Sequence, residues 1–133
     1  MPASIAQANK ILEAQVGKNA FGTQTAFVAL SSTTPNINGT GVTEPTGGAY
    51  ARVSTSAATW GTASGGSISN AQAINFATAT ADWVGGANLT HGVLYDAASG
   101  GNMIGFGALT VAKNVLNGDT ASIAVGGITI SIS

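Results

Sequence analysis

The chain is 133 residues long, with four basic and five acidic side chains, a net charge of −1 and no cysteine. That length suits one domain with one core, and 7% charge lies far below the roughly 25% usual in soluble proteins. Four scattered cations exclude a phosphate-binding patch, the missing cysteines exclude disulfides and thiolate chemistry, and no apolar run approaches the 18 or more residues of a membrane-spanning helix.

In chain order, Met1-Pro2-Ala3-Ser4 lacks the basic and apolar regions of a secretory signal, so synthesis in a cytoplasm without a signal peptide is expected. Ser4 is a good N-cap, and Gln7 completes a capping-box pattern. Ile5, Ala8, Ile11, Leu12 and Val16 then recur at three- and four-residue spacing before Gly17, which predicts a helix over 4–16 with one apolar stripe. Such a short helix is marginal alone and must dock, either on its own domain or on a neighbouring subunit.

After Gly22 the pattern changes to short strands and turns. Strands are expected at Thr25 to Leu30, Ala49 to Ser54, Ala57 to Trp60, Ser67 to Ala77, Leu89 to Tyr95 and Met103 to Val111. Between the first two lies a long polar stretch, 31–48, which reads as an exposed loop with Ile37 and Val42 as its apolar points. Residues 96–102 read as a hairpin connection, and Asn117-Gly118-Asp119 as another turn. Thr120 to Val125 and Ile128 to Ser133 are expected to close a final hairpin around Gly126-Gly127, with Ile128, Ile130 and Ile132 on one face. In Met103 to Leu109, Ile104, Phe106 and Ala108 should share one face and leave Gly105 and Gly107 bare on the other. Bare glycines mark a close approach, by Tyr95 or Trp83 of the same chain or by another subunit's backbone. The pattern predicts one domain over 1–133: an antiparallel β-sandwich, or a barrel-like jelly roll, of about seven or eight short strands with one short N-terminal helix.

The search for chemistry returns little. A hydrolytic triad would need His91, the lone histidine, beside a nucleophile and a carboxylate, and no G-x-S-x-G turn is present. His91 is expected to pair with a backbone carbonyl or with Asp96. One histidine supplies no zinc cluster, no calcium loop is evident, and the glycine pairs lack the lysine of a phosphate loop. No catalytic residue, cofactor or metal is assigned. Arg52, the lone arginine, should pair with Glu44, Asp96 or carbonyls. Trp60, Trp83 and Tyr50 suit a small β core or, if exposed, sugar stacking. A surface of Gly, Ala, Ser, Thr and Asn with so few charges offers little resistance to self-association. Ile5, Ile11, Leu12, Val16, Ile37 and Val42 are the candidate assembly contacts, and Arg52, His91 and Asp96 the structural polar candidates.

Several stretches carry a resemblance: Thr25-Ala26-Phe27-Val28-Ala29-Leu30 before a Thr/Pro-rich loop, Gly47-Gly48-Ala49-Tyr50-Ala51-Arg52, Ile68-Ser69-Asn70 leading to Ile74-Asn75-Phe76, and Trp83. Thr90-His91-Gly92-Val93-Leu94-Tyr95-Asp96-Ala97, Gly100-Gly101-Asn102 and Gly105-Phe106-Gly107-Ala108-Leu109-Thr110 follow. Over nearly its whole length the chain resembles a family of small virion structural proteins of tailed bacteriophages, often labelled tail fibre proteins. The resemblance implies a non-enzymatic, multi-copy virion protein at the tail or fibre attachment or on the capsid as decoration. Its implied partners are itself, as a homo-oligomer, and other virion proteins of the capsid, neck or tail. The alternative is a carbohydrate-binding module that recognises a host surface glycan; no nucleic acid or membrane partner is implied.

Overall fold

The computed structural model describes residues 3–131. The fold is mainly β, with eight strands in antiparallel sheets and one helix, α1 (Ile5–Gln15). Both helix ends form as their local chemistry dictates. The Ser4 hydroxyl accepts from the Gln7 N–H at 3.1 Å. Past the C-cap Val16, Lys18 N–H reaches Glu13 O at 2.9 Å and Gly17 N–H reaches Ala14 O at 3.2 Å, with Gly17 left-handed at φ 76°. Only half of the expected capping box is made. Ser4 N–H donates to Ile104 O at 2.8 Å instead, Ser4 Oγ donates to Met103 O, and the Gln7 amide turns to Gln24. The cap thereby ties the helix to a distant strand, and no residue of α1 is buried.

The main sheet has the order β2 (Val53–Ser54), β1 (Phe27–Ser31), β5 (Leu89–Tyr95), β6 (Met103–Lys113). Alternation along β1 and β5 sends Val28, Leu30 and Leu94 into one core and Ala29, Val93 and Tyr95 into a smaller one on the opposite face. The larger core is closed by two ribbons, β3 (Ser67–Ser69) with β8 (Thr129–Ser131) and β4 (Ile74–Asn75) with β7 (Ser122–Ile123). Ile74, Ile123 and Ile128 reach into it, so the sheet and ribbons form two layers over Phe76 and Trp83.

The irregularities of β6 correct the expected facing of its side chains. Leu94 faces Gly105 but Tyr95 faces Met103, so Ile104 is an inserted residue. The bulge turns Ile104 into the larger core while Phe106 packs on the smaller one; the two do not share a face. At the other end His91 faces Ala108 and Leu89 faces Lys113, leaving four residues opposite Thr90 alone. Gly105 is also bridged, antiparallel, by the chain's own N-terminal backbone at Ala3.

Other expectations are also corrected. Ala57–Thr59 is a 3-10 turn rather than a strand, because Ser56 and Thr59 cap each other across it. The stretch 67–77 breaks into β3 and β4 at the buried Asn70. In 49–54 only β2 pairs, since Gly47, Gly48 and Ala49 turn left-handed (φ 72°, 60° and 63°) and Tyr50 to Arg52 enter the polar junction described below. The final hairpin does not form: Gly126-Gly127 does turn the chain, but β7 pairs back to β4 and β8 to β3. Ile128 and Ile130 both pack toward the larger core, and Ile132 lies outside the described residues.

Candidate functional site

Arg52 sits at a junction of three segments. Its Nε and Nη2 fork onto Glu44, with contacts of 3.1 and 2.6 Å, and its Nη1 donates to Ala97 O at 2.9 Å and Gly100 O at 2.8 Å. The guanidinium carbon lies 3.6 Å from the centre of the Tyr95 ring, a cation–π stack. Tyr50 completes the junction, donating to Glu44 at 2.7 Å and accepting from Leu30 N–H at 3.2 Å. Of the partners considered for Arg52, Glu44 and carbonyls are used and Asp96 is not.

Burial pushes the Tyr50 phenol far above its ordinary range, and its hydrogen bond to Glu44 adds to the effect. Burial also raises Tyr95. For Arg52 burial works against the charge, but the hydrogen bonds and attraction of Glu44 outweigh it and hold the guanidinium above its usual value.

The 96–102 hairpin is held from its other side by Asp96, which accepts from Asn102 N–H at 2.7 Å and lies 3.6 Å from Lys10 of α1. Gly101 is left-handed at φ 74°, and a Cβ there would stand 2.5 Å from the Asp96 carboxylate. Burial alone would raise the Asp96 carboxyl; the Asn102 backbone and side-chain donors, with Lys10, outweigh it and hold it below the usual carboxylate range. A depressed carboxyl stabilises the fold above the ordinary aspartate value, about 3.9, and the contribution is lost as pH falls through the folded value. Acidification from pH 6 to pH 2 should therefore release the Asn102 amide, followed by its proton chemical shift, and Asp96→Asn should remove that titration. A flat Asn102 profile in the parent chain contradicts this assignment.

His91 lies elsewhere. Its Nδ1 is 2.8 Å from Thr90 Oγ1 and its ring 6.5 Å from that of Phe106, so the expected carbonyl or Asp96 partner is replaced by a neighbouring hydroxyl. Among the described residues no group of three or more His, Asp or Glu side chains has metal-holding geometry, and no helix is long and apolar enough to cross a membrane. Trp83 is buried, edge-on to Tyr50 and Phe76, with its indole N–H on Gly48 O at 2.8 Å. Its ring has no free face for a sugar. Trp60 is half-buried against the larger core and donates to Thr55.

The candidate assembly residues divide. Ile5, Leu12 and Val16 stay 48%, 58% and 79% exposed, and Ile11 is half-buried. Ile37, 48% exposed, lies beside Ile5 through a 3.1 Å bond from Ile5 N–H to Ile37 O. Val42 packs on the smaller core of its own chain. The 31–48 loop is anchored rather than free, because Ser31 Oγ accepts from Thr43 N–H and Thr33 Oγ1 donates to Gly41 O. Sequence reasoning missed two features. Asn70 is a buried hub whose side chain bonds the backbone of Gln72 nearby and of Ala124 and Ile128 far along the chain. An open apolar cleft of about 250 Å³ lies where the distal half of β6 faces β7.

The chain matches the family Gp80, described as podophage GP4 fiber I protein gp80, over residues 2–131. No curated protein matches it.

Proposed function

The chain belongs to the Gp80 family, podophage GP4 fiber I protein gp80, and we propose that it serves as a multi-copy, non-enzymatic component of the phage fibre, held in the particle by packing of uncharged surface. A phage fibre family carries a virion structural role. Its label supports a station at the fibre or its tail attachment rather than on the capsid. The observation that carries the multi-copy reading is the helix. α1 buries none of its residues, and its apolar side chains Ile5, Leu12 and Val16 stand open with Ile37 beside them. Contiguous apolar patches of a few hundred Å² on a soluble chain mark interaction sites. The nearly charge-free composition means that no strong repulsion opposes their burial. Specific interfaces bury about 1,200–2,000 Å² in total, so the stripe forms only part of the contact surface.

The test is Leu12→Glu combined with Ile37→Asp. Both positions are exposed, where substitutions move stability by about 0.5 kcal/mol or less, so the circular dichroism spectrum should be unchanged. Incorporation into phage particles, measured by mass spectrometry of purified virions, should fall at least tenfold. Normal incorporation of a folded double variant overturns the reading.

A further inference from the structure

Two open apolar surfaces lie at opposite ends of β6. Ser4 and Ala3 fasten the helix at Ile104 and Gly105, near the start of that strand. The cleft is lined by its far end, Leu109 to Lys113, together with Leu30, Phe76, Leu89, Val115 and Ile123. At about 3.3 Å per strand residue the helix anchor and the cleft lie on the order of 20 Å apart, and no residue of α1 lines the cleft of its own chain.

Small-molecule pockets span roughly 300–1,000 Å³ and carry several placed polar groups. This cleft, about 250 Å³ and walled largely by aliphatic side chains, suits one or two apolar side chains instead. Its rim carries one charge, Lys113, which forms no ion pair among the described residues. The helix offers the complement. Leu12 and Val16 project from its last turns, and Glu13 sits at the edge of the same stripe. That carboxylate lies near the helix C-terminus, where the dipole disfavours an anion, and its donor is the Asn19 amide.

The geometry points to a head-to-tail contact between two copies of this chain, with Leu12 and Val16 of one seated in the cleft of the next and Glu13 meeting Lys113 at the rim. The inference rests on the multi-copy reading and names the partner surface. The contact is heterologous: each junction leaves a free helix on one copy and a free cleft on the other, so it closes into a ring or continues as a fibre.

The test is mass in solution by analytical ultracentrifugation of the full chain, from micromolar to millimolar. The parent should grow beyond the dimer. Leu12→Glu removes the helix partner and Val111→Glu, at a position 64% exposed, blocks the cleft; each should stay monomeric alone. Mixed, they should form a one-to-one dimer and nothing larger, because each supplies the face the other lacks. Glu13→Lys should weaken association at least tenfold, and adding Lys113→Glu in the same chain should restore it. Should Leu12→Glu misfold, Val16→Glu at 79% exposure takes its place. If Val111→Glu assembles like the parent while Leu12→Glu does not, the helix docks elsewhere; the multi-copy reading then stands and this contact is overturned. A parent chain that stays monomeric at millimolar concentration overturns both.

Discussion

Arg52→Ala is expected to lower stability by about 3 kcal/mol, the low end of the cost of removing one partner from a buried ion pair, since this pair is only partly buried. For a chain of this size that corresponds to a fall in melting temperature of roughly 10 °C. The Arg52 side chain is only 8% exposed and Glu44 21%, so the carboxylate left behind cannot recover full hydration. Two more acceptors lose their donor, Ala97 O and Gly100 O, and the Tyr95 ring loses its stacked cation. These losses fall on different segments. Glu44 belongs to the 31–48 arm and the carbonyls to the 96–102 hairpin, so the substitution should loosen both while the sheet persists. Arg52→Lys is the informative companion. An ammonium lacks the planar fork that meets Glu44 with two nitrogens while a third spans two carbonyls, so lysine should recover less than half of the loss. Hydrogen exchange should show faster opening at Asn102 and Thr43 than at Val93. A melting temperature within about 2 °C of the parent would mean that the junction contributes little.

The junction shows where sequence reasoning reaches and where it stops. A lone arginine in so uncharged a chain must find a partner, and Glu44 was among the few carboxylates available. That one guanidinium would also clasp a hairpin 45 and 48 residues further on depends on the fold and leaves no local mark. The same division runs through the secondary structure. Helix ends are decided within a few residues, so Ser4 and Gly17 were legible, and alternation marked β1, β5 and most of β6. The final hairpin was misread because pairing is decided by distant partners: β7 and β8 each fit a hairpin locally, yet Ile123 lies opposite Ile74 and Ile130 opposite Ile68. An inserted residue such as Ile104 likewise inverts every facing beyond it without altering the composition of the strand. The family resemblance survived these errors, because it rested on the order of many short stretches rather than on any one pairing.

Asn70 was the most consequential residue to escape notice, since an asparagine bonded to backbone has no sequence signature. Its amide donates to Gln72 O and to Ala124 O, both at 2.9 Å, and its Oδ1 accepts from Ile128 N–H at 2.9 Å. It is 2% exposed, so Asn70→Ala leaves the buried Ile128 N–H without its acceptor and takes a donor from Gln72 O and from Ala124 O, which keeps the Gly127 N–H. A buried group so stranded costs about 1–3 kcal/mol, and a loss of about 2 kcal/mol is expected in urea unfolding. Asn70→Asp separates the charge from the shape. Its carboxylate still accepts from Ile128 but faces two carbonyl oxygens it cannot bond, which raises its pKa in the folded state. A raised folded pKa destabilises at neutral pH, and the penalty shrinks as pH falls through that value toward the unfolded one, about 3.9. The stability gap between Asn70→Asp and the parent, measured at matched pH, should therefore narrow from pH 7 to pH 4, while the gap for Asn70→Ala stays constant. Ala124 and Gly127 line the cleft at the end of β6, and Asn70 holds the turn that carries them. Both variants should consequently lose self-association at concentrations where they remain folded. Unchanged association in a folded Asn70→Ala chain would detach the cleft from this hub, and equal gaps at both pH values would remove the carbonyl pair from the account.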